Sequence, residues 1–275
     1  MQNAGIAALD LNWRYLAFDV HPNNLRTAIE GARLMGFIGL NLTVPHKLLA
    51  LGMVDVIDDQ AKAWGAVNTI VFETQNGSGA WIPVGRANEA GPVRSHGFNT
   101  DADAIVQSLK EEFSLETLRG KTVLLLGAGG AARAAALRLA WENVGKLILI
   151  NRTASRASEL AEAIRKDFPK VSVAETYPDH SVDLLLNATS LGLKPDDALP
   201  VNLKWLCEHP PHFAYDMIYR PAETAFLREA KKAGCRSANG VGMLMHQGAR
   251  ALELWTGKPA PLAEMRRALE KNVYG

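Results

Sequence analysis

Cysteine is nearly missing from this sequence. Cys207 and Cys235 are the only two in 275 residues. Neither sits in a metal-spaced pair, and a disulfide framework is excluded beyond a single bridge. The expectation is a reduced, intracellular, cytoplasmic protein. An excess of charge of one sign is missing too. Thirty basic residues face 29 acidic ones, a net charge of +1, which implies no nucleic-acid and no membrane partner. No apolar run approaches the roughly 20 residues of a membrane span. Met1 to Asp10 lacks the basic start and apolar run of a signal peptide. The seven histidines show no ligand spacing, so no metal is expected. Internal repeats and low-complexity segments are absent. What is present is material for a core: 48% hydrophobic and 21% charged residues argue against disorder.

Helical and strand signals alternate, which predicts a parallel α/β protein. Asn24 to Met35 carries Leu25, Ala28, Ile29 and Ala32 at helical spacing. Phe37 to Val44 reads as a buried strand, Val56 to Trp64 as a helix and Ala66 to Phe72 as a strand. Asn76-Gly77-Ser78-Gly79 signals a turn, and the polar stretch from there to Ser95 reads as a hairpin or surface excursion. Asp101 to Phe113 is the next helix. Thr122 to Leu126 is a short strand too apolar to be half exposed. A helix to about Asn143 follows, then strand Lys146 to Ile150 and helix Ser155 to Asp167. Further strands are expected at Val171 to Val173, Asp183 to Leu186 and Phe213 to Asp216. Helices Met243 to Trp255 and Leu262 to Leu269 close the chain. Two domains follow from this pattern: residues 1–100 completed by 240–275, and 101–239. A cleft between two domains is a common ligand site.

Gly127-Ala128-Gly129-Gly130-Ala131-Ala132 follows a strand and opens a helix, the G-x-G-x-x-A form of the dinucleotide fingerprint. Gly127 permits the tight turn, Gly129 lets the backbone approach a pyrophosphate, and small Ala132 allows close helix–strand packing. The helix N-terminus offers unpaired N–H groups to the phosphates. Proteins that bind NAD usually carry a carboxylate at the end of the next strand, for the ribose hydroxyls. Here that strand ends in Asn151-Arg152-Thr153, with Arg156 one turn on, and no carboxylate. Two guanidinium groups suit an extra phosphate, so the cofactor expected is NADP. They would otherwise sit at the helix end where the dipole disfavours cations.

Reduction of a carbonyl by such a cofactor needs a proton donor beside the oxygen. Lys47, just past a strand, and Asp101, at a helix start, occupy junctions where catalytic residues are often mounted. Asn41-Leu42-Thr43-Val44-Pro45-His46-Lys47 resembles the N-x-T-x-P-x-K motif of shikimate dehydrogenases. Further segments resemble that family in order. They are Gly65-Ala66-Val67-Asn68-Thr69, Asn99-Thr100-Asp101, the glycine loop ending in Arg133, and Asn151-Arg152-Thr153 with Arg156. Asn187 to Gly192, Asp216 to Pro221 and Asn239-Gly240 through Gln247 complete the series.

The resemblance implies a two-domain α/β fold, an N-terminal substrate domain plus a Rossmann-type NADP-binding domain, with the C-terminal helices returning to the first. It implies reversible NADPH-dependent reduction of 3-dehydroshikimate to shikimate, on the way to chorismate and the aromatic amino acids. Alternatives are a quinate/shikimate dehydrogenase using NAD or NADP, and a non-catalytic NADP-binding regulator. Lys47 would be the acid/base, and Asp101 would bond both substrate and Lys47. Thr43, Asn68 and Gln247 would hold ring hydroxyls, and Tyr219 would help at the carboxylate. Thr189, Met217, Gly240 and Met243 would lie at the cofactor. The partner expected is this small molecule, with a homodimer as the assembly. The family also opens on a strand and a Ser-x-Ser segment that grips the substrate carboxylate. Neither is in this sequence, which starts at residues resembling the following helix. Weakened substrate affinity, with cofactor binding less affected, is the expectation.

Overall fold

The computed structural model describes residues 1–87 and 91–275. The chain divides into two compact units, Met1–Asp101 with Met245–Leu269, and Ala102–Leu244 with Glu270–Gly275. In chain order the first part carries α1 (Gln2–Ala8), α2 (Leu25–Leu34), β1 (Gly39–Asn41), α3 (His46–Leu49), β2 (Val56–Ile57), α4 (Asp59–Trp64), β3 (Thr69–Gln75), β4 (Trp81–Pro83) and β5 (Val93–Phe98). Then come α5 (Asp101–Phe113), β6 (Thr122–Leu126), α6 (Gly130–Trp141), β7 (Lys146–Ile150), α7 (Ala154–Asp167), β8 (Ser172–Ala174) and β9 (Leu184–Asn187). The remainder is α8 (Leu203–Glu208), β10 (Phe213–Asp216), α9 (Ala225–Lys232), β11 (Arg236–Ala238), α10 (Val241–Thr256) and α11 (Leu262–Tyr274).

The second unit follows from its apolar runs. Val123 to Leu126, Leu147 to Leu149 and Leu184 to Leu186 are buried, as strands covered on both faces must be. They lie in a six-stranded parallel sheet ordered β11-β10-β9-β6-β7-β8. Counted from β6, that is the doubly wound order of dinucleotide-binding domains. The order reverses between β6 and β9, where Leu126 is paired with Asn187. Ligands of open α/β sheets bind outside the carboxyl ends of the strands at such a point.

The first unit departs from the parallel expectation. Its sheet runs β1-β3-β5-β2, with β4 on β3, and only the β2–β5 pair is parallel. The expected strand Phe37 to Val44 shortens to three half-buried residues of β1, which pairs with β3 at the sheet edge. Val56 to Trp64 is not one helix. Its first two residues extend as β2, and Asp58 then caps α4 by accepting from the Gln60 and Ala61 amides. The stretch after Gly79 holds β4, which closes a hairpin on β3, and β5; residues 88–90 of it lie outside the described residues. β5 carries Arg94 and His96, yet it pairs along one side with β3 and along the other with β2. Both polar side chains converge on buried Glu73 across the ladder, Arg94 Nε at 2.8 Å and His96 Nδ1 at 3.1 Å. These bonds hold Glu73 below the ordinary carboxyl range against the burial that would raise it. Leu25, Ile29 and Ala32 of α2 pack on Val67, Ile70 and Phe72 to form the core of this unit.

Candidate active site

Lys47 and Asp101 are 54 positions apart and meet through the sheet of the first unit. Lys47 is the second residue of α3, and its carbonyl accepts from the Val67 amide at 2.9 Å. β3 then pairs with β5 in the register Thr69 to Phe98. That register sets Asn68 beside Thr100: the Asn68 Oδ1 accepts from the Thr100 amide at 2.8 Å, and Nδ2 donates to Thr100 Oγ1 at 3.0 Å. Asn99 Oδ1 accepts from the Asp101 amide at 3.1 Å and starts α5. The result is an ion pair, Lys47 Nζ to Asp101 Oδ2 at 2.7 Å, with side chains 28% and 16% exposed. A charge-assisted bond of this length fixes the ammonium in direction while leaving it open to solvent and ligand.

Other expected substrate residues sit differently. Asn68 is 2% exposed, and its carboxamide is largely spent on holding Thr100; one of its two N–H donors is unassigned among the described residues. Thr43 lies exposed in the turn before α3, with its carbonyl accepting from the His46 amide. Gln247 is half-buried on α10. Tyr219, in the second unit, is 39% exposed. His46, which the sequence marks only as the neighbour of Lys47, bonds the Val20 carbonyl through Nε2 at 2.8 Å and anchors this segment. Asn99 and Thr100 carry the placement of Asp101. Their signal in the sequence is the Asn two residues before a helix start, which reads equally well as an ordinary cap.

In the second unit Gly127 follows β6 with φ +112°, a conformation that side chains rarely adopt. A Cβ there would meet the Ala188 carbonyl oxygen at 3.1 Å and Thr189 Cγ2 at 3.2 Å. Gly129 stands at the N-cap of α6 with no side-chain cap, and Cβ atoms on Gly129 or Gly130 would meet nothing within 4 Å. Ala128 is half-buried and Ala131 exposed, while Ala132 is fully buried. The first-turn N–H groups of a twelve-residue helix therefore open onto a bare backbone cradle. At the end of β7, Asn151 Nδ2 donates to the Thr153 carbonyl at 2.8 Å. Arg152 and Arg156 are exposed at the start of α7, and neither has an ion-pair partner among the described residues. Thr153 is the N-cap of α7 without a side-chain bond. These residues fit a phosphorylated dinucleotide: an uncapped helix with room for a pyrophosphate, and two unpartnered guanidinium groups one strand away. Thr189 is fixed by Asn187, whose Oδ1 accepts from its amide at 3.1 Å and from its hydroxyl at 2.8 Å. Gly240 closes on Met217 so tightly that a Cβ would lie 2.2 Å from the Met217 carbonyl oxygen. Met243 is half-buried on α10. Among the described residues no cluster of ligating side chains could hold a metal ion, and no helix is long and apolar enough to cross a membrane.

Comparison with known proteins covers the same regions in the same order. Residues 1–70 match the model of the shikimate dehydrogenase substrate binding domain. Residues 108–191 match that of shikimate/quinate 5-dehydrogenase, and 240–270 that of the shikimate 5'-dehydrogenase C-terminal domain. A shikimate dehydrogenase (NADP(+)) of Moorella thermoacetica is 41% identical over 281 residues, covering 99% of this chain and 88% of the relative. A crystal structure of a shikimate dehydrogenase in complex with NADP+ superposes with a TM-score of 0.82 at 34% identity, over 99% of this chain and 90% of that one. The ligand-free 5-ketofructose reductase of Gluconobacter sp. strain CHM43 superposes with a TM-score of 0.79 at 34% identity, over 98% and 92%. With a likeness that runs from end to end, and with the lysine–aspartate pair and the glycine cradle both in place, the chain belongs to the shikimate dehydrogenase family.

Proposed function

We propose that this chain reversibly reduces 3-dehydroshikimate to shikimate with NADPH, a step toward chorismate and the aromatic amino acids. The observation that carries the reading is the 2.7 Å pair between Lys47, the last residue of the Asn41 to Lys47 segment, and Asp101 at the start of α5. When bound, the reduced nicotinamide supplies the hydride that the carbonyl carbon accepts. The Lys47 ammonium gives a proton to the carbonyl oxygen as it becomes an alkoxide, so the ketone gains a hydride and a proton. The Asp101 carboxylate accepts from Lys47 Nζ, holds it in place and offers its second oxygen to a substrate hydroxyl. Thr43, Gln247 and the remaining Asn68 donor are assigned to ring hydroxyls, and Tyr219 to the carboxylate. Arg152 and Arg156 hold the phosphate that distinguishes NADPH from NADH.

The fold of this family also serves a 5-ketofructose reductase, so the substrate must be assigned by turnover. The test mixes the protein with NADP+ and shikimate and follows the absorbance of reduced nicotinamide. Quinate and NAD+ are the controls. Reduction of NADP+ with shikimate supports the proposal. Turnover of quinate, or with NAD+, replaces it with a quinate/shikimate dehydrogenase using NAD or NADP, and binding of NADPH without turnover leaves a regulator.

A further inference from the structure

Asp216 ends β10 with 0% exposure, and the polar groups it touches are all donors. Oδ1 accepts from the Ile218 amide and from Asn187 Nδ2, both at 3.0 Å. Oδ2 accepts from Thr224 Oγ1 at 2.6 Å, and Thr224 in turn caps α9. No cation among the described residues takes part, and burial pushes the carboxyl up to about 6. A dry carboxylate without a counter-charge is expensive to keep, which asks what it does.

Its bonds join two loops. Through Ile218 it shapes the turn that carries Met217, whose carbonyl is packed against Gly240. Through Asn187 it reaches Thr189, whose methyl lies against Gly127 in the glycine turn. Both loops leave the carboxyl ends of adjacent strands beside the point where the sheet order reverses. Resting on the NADPH reading above, we propose that Asp216 is a positioning residue, a buried strut that locks the Asn187–Thr189 and Met217–Ile218 turns into the arrangement that receives the dinucleotide. Its Oδ1 is the working atom, because that oxygen alone touches both turns.

The test uses the full chain and the variants Asp216→Ala, Asp216→Asn and Asn187→Ala. Direct NADPH binding, KM for each substrate and kcat are measured. Asp216→Ala and Asn187→Ala are expected to weaken NADPH binding about tenfold or more, the equivalent of one lost hydrogen bond to a charged group. KM for 3-dehydroshikimate should stay within about twofold, since the coupling is local. Asp216→Asn keeps Oδ1 as acceptor for both turns and should recover most of the affinity. Wild-type NADPH affinity in both alanine variants overturns the proposal, as does an Asp216→Asn chain no better than Asp216→Ala. If Asp216→Ala does not fold, wild-type affinity in Asn187→Ala, which removes the bond to Asp216 together with those to Thr189, still overturns the proposal, and the affinity of Asp216→Asn relative to wild type reports the Asp216 contribution. A wild-type chain that binds NADPH but does not oxidise shikimate refutes the proposed reaction and leaves the strut standing. Failure to bind NADPH at all sinks both.

Discussion

Gly129→Ala separates a glycine kept for the ligand from one kept for the protein. Gly129 holds φ −78° and ψ −177°, extended backbone open to any residue, and a Cβ there meets nothing within 4 Å. Two small effects oppose each other. Reduced freedom of the unfolded chain favours the variant by roughly 0.4–1 kcal/mol, and replacing glycine by alanine at an N-cap disfavours it by about 0.5–1 kcal/mol. The net change is within ~0.5 kcal/mol, or about 2 °C in Tm for a chain of this size. Gly127→Ala is the contrast, with φ +112° and backbone 3.1 Å from the new methyl. Left-handed strain of about 1–2 kcal/mol and overpacking of ~1 kcal/mol sum to roughly 2–3 kcal/mol, a fall of about 5–10 °C. Thermal melts and NADPH fluorescence titrations on both variants read the two quantities separately. Gly129→Ala should melt with the wild type and bind NADPH at least about tenfold more weakly, because its methyl fills the pyrophosphate approach. Wild-type affinity in Gly129→Ala would refute the assignment of that space to a phosphate. A melt lower by many degrees would show that the fold itself needs the glycine.

Lys47→Ala should lower kcat by about 10²–10⁴-fold, the range of a lost general acid, with NADPH affinity unchanged in a direct titration; near-normal turnover contradicts the assignment. Replacing Arg152 and Arg156 together by alanine should raise KM for NADPH by about tenfold or more and leave any NADH activity unchanged, as expected for a lost phosphate contact; equal effects on both cofactors would place the phosphate elsewhere. Because burial lifts the Asp216 carboxyl to about 6, the folded chain holds a proton there that the unfolded chain releases near pH 4. That contribution to stability is full below about pH 4 and is lost as pH rises through about 6, some ~3 kcal/mol in all. Urea unfolding of the wild type and Asp216→Asn should therefore differ in pH slope across this window, and parallel slopes would exclude a titrating Asp216.

The dinucleotide half was legible because its signals are local. Apolar strands such as Thr122–Leu126, a glycine turn and an uncapped helix fall inside one short window, and burial on both faces leaves no other reading. Arg152 and Arg156 were legible for the same reason, one strand later. The first unit hid β5, since Arg94 and His96 look solvent-facing until β3 supplies Glu73 opposite them. β1 was read too long, because apolar residues about an edge strand carry no mark of where pairing stops. Lys47 and Asp101 could be named from their segments, but their 2.7 Å separation depends on the register of β3 on β5 and on Asn68 gripping Thr100. The buried strut at Asp216 was likewise beyond the sequence, where an aspartate at a strand end looks like any turn residue. Local chemistry fixes what each segment can do; long-range pairing decides which side chains meet and how dry the place is where they do.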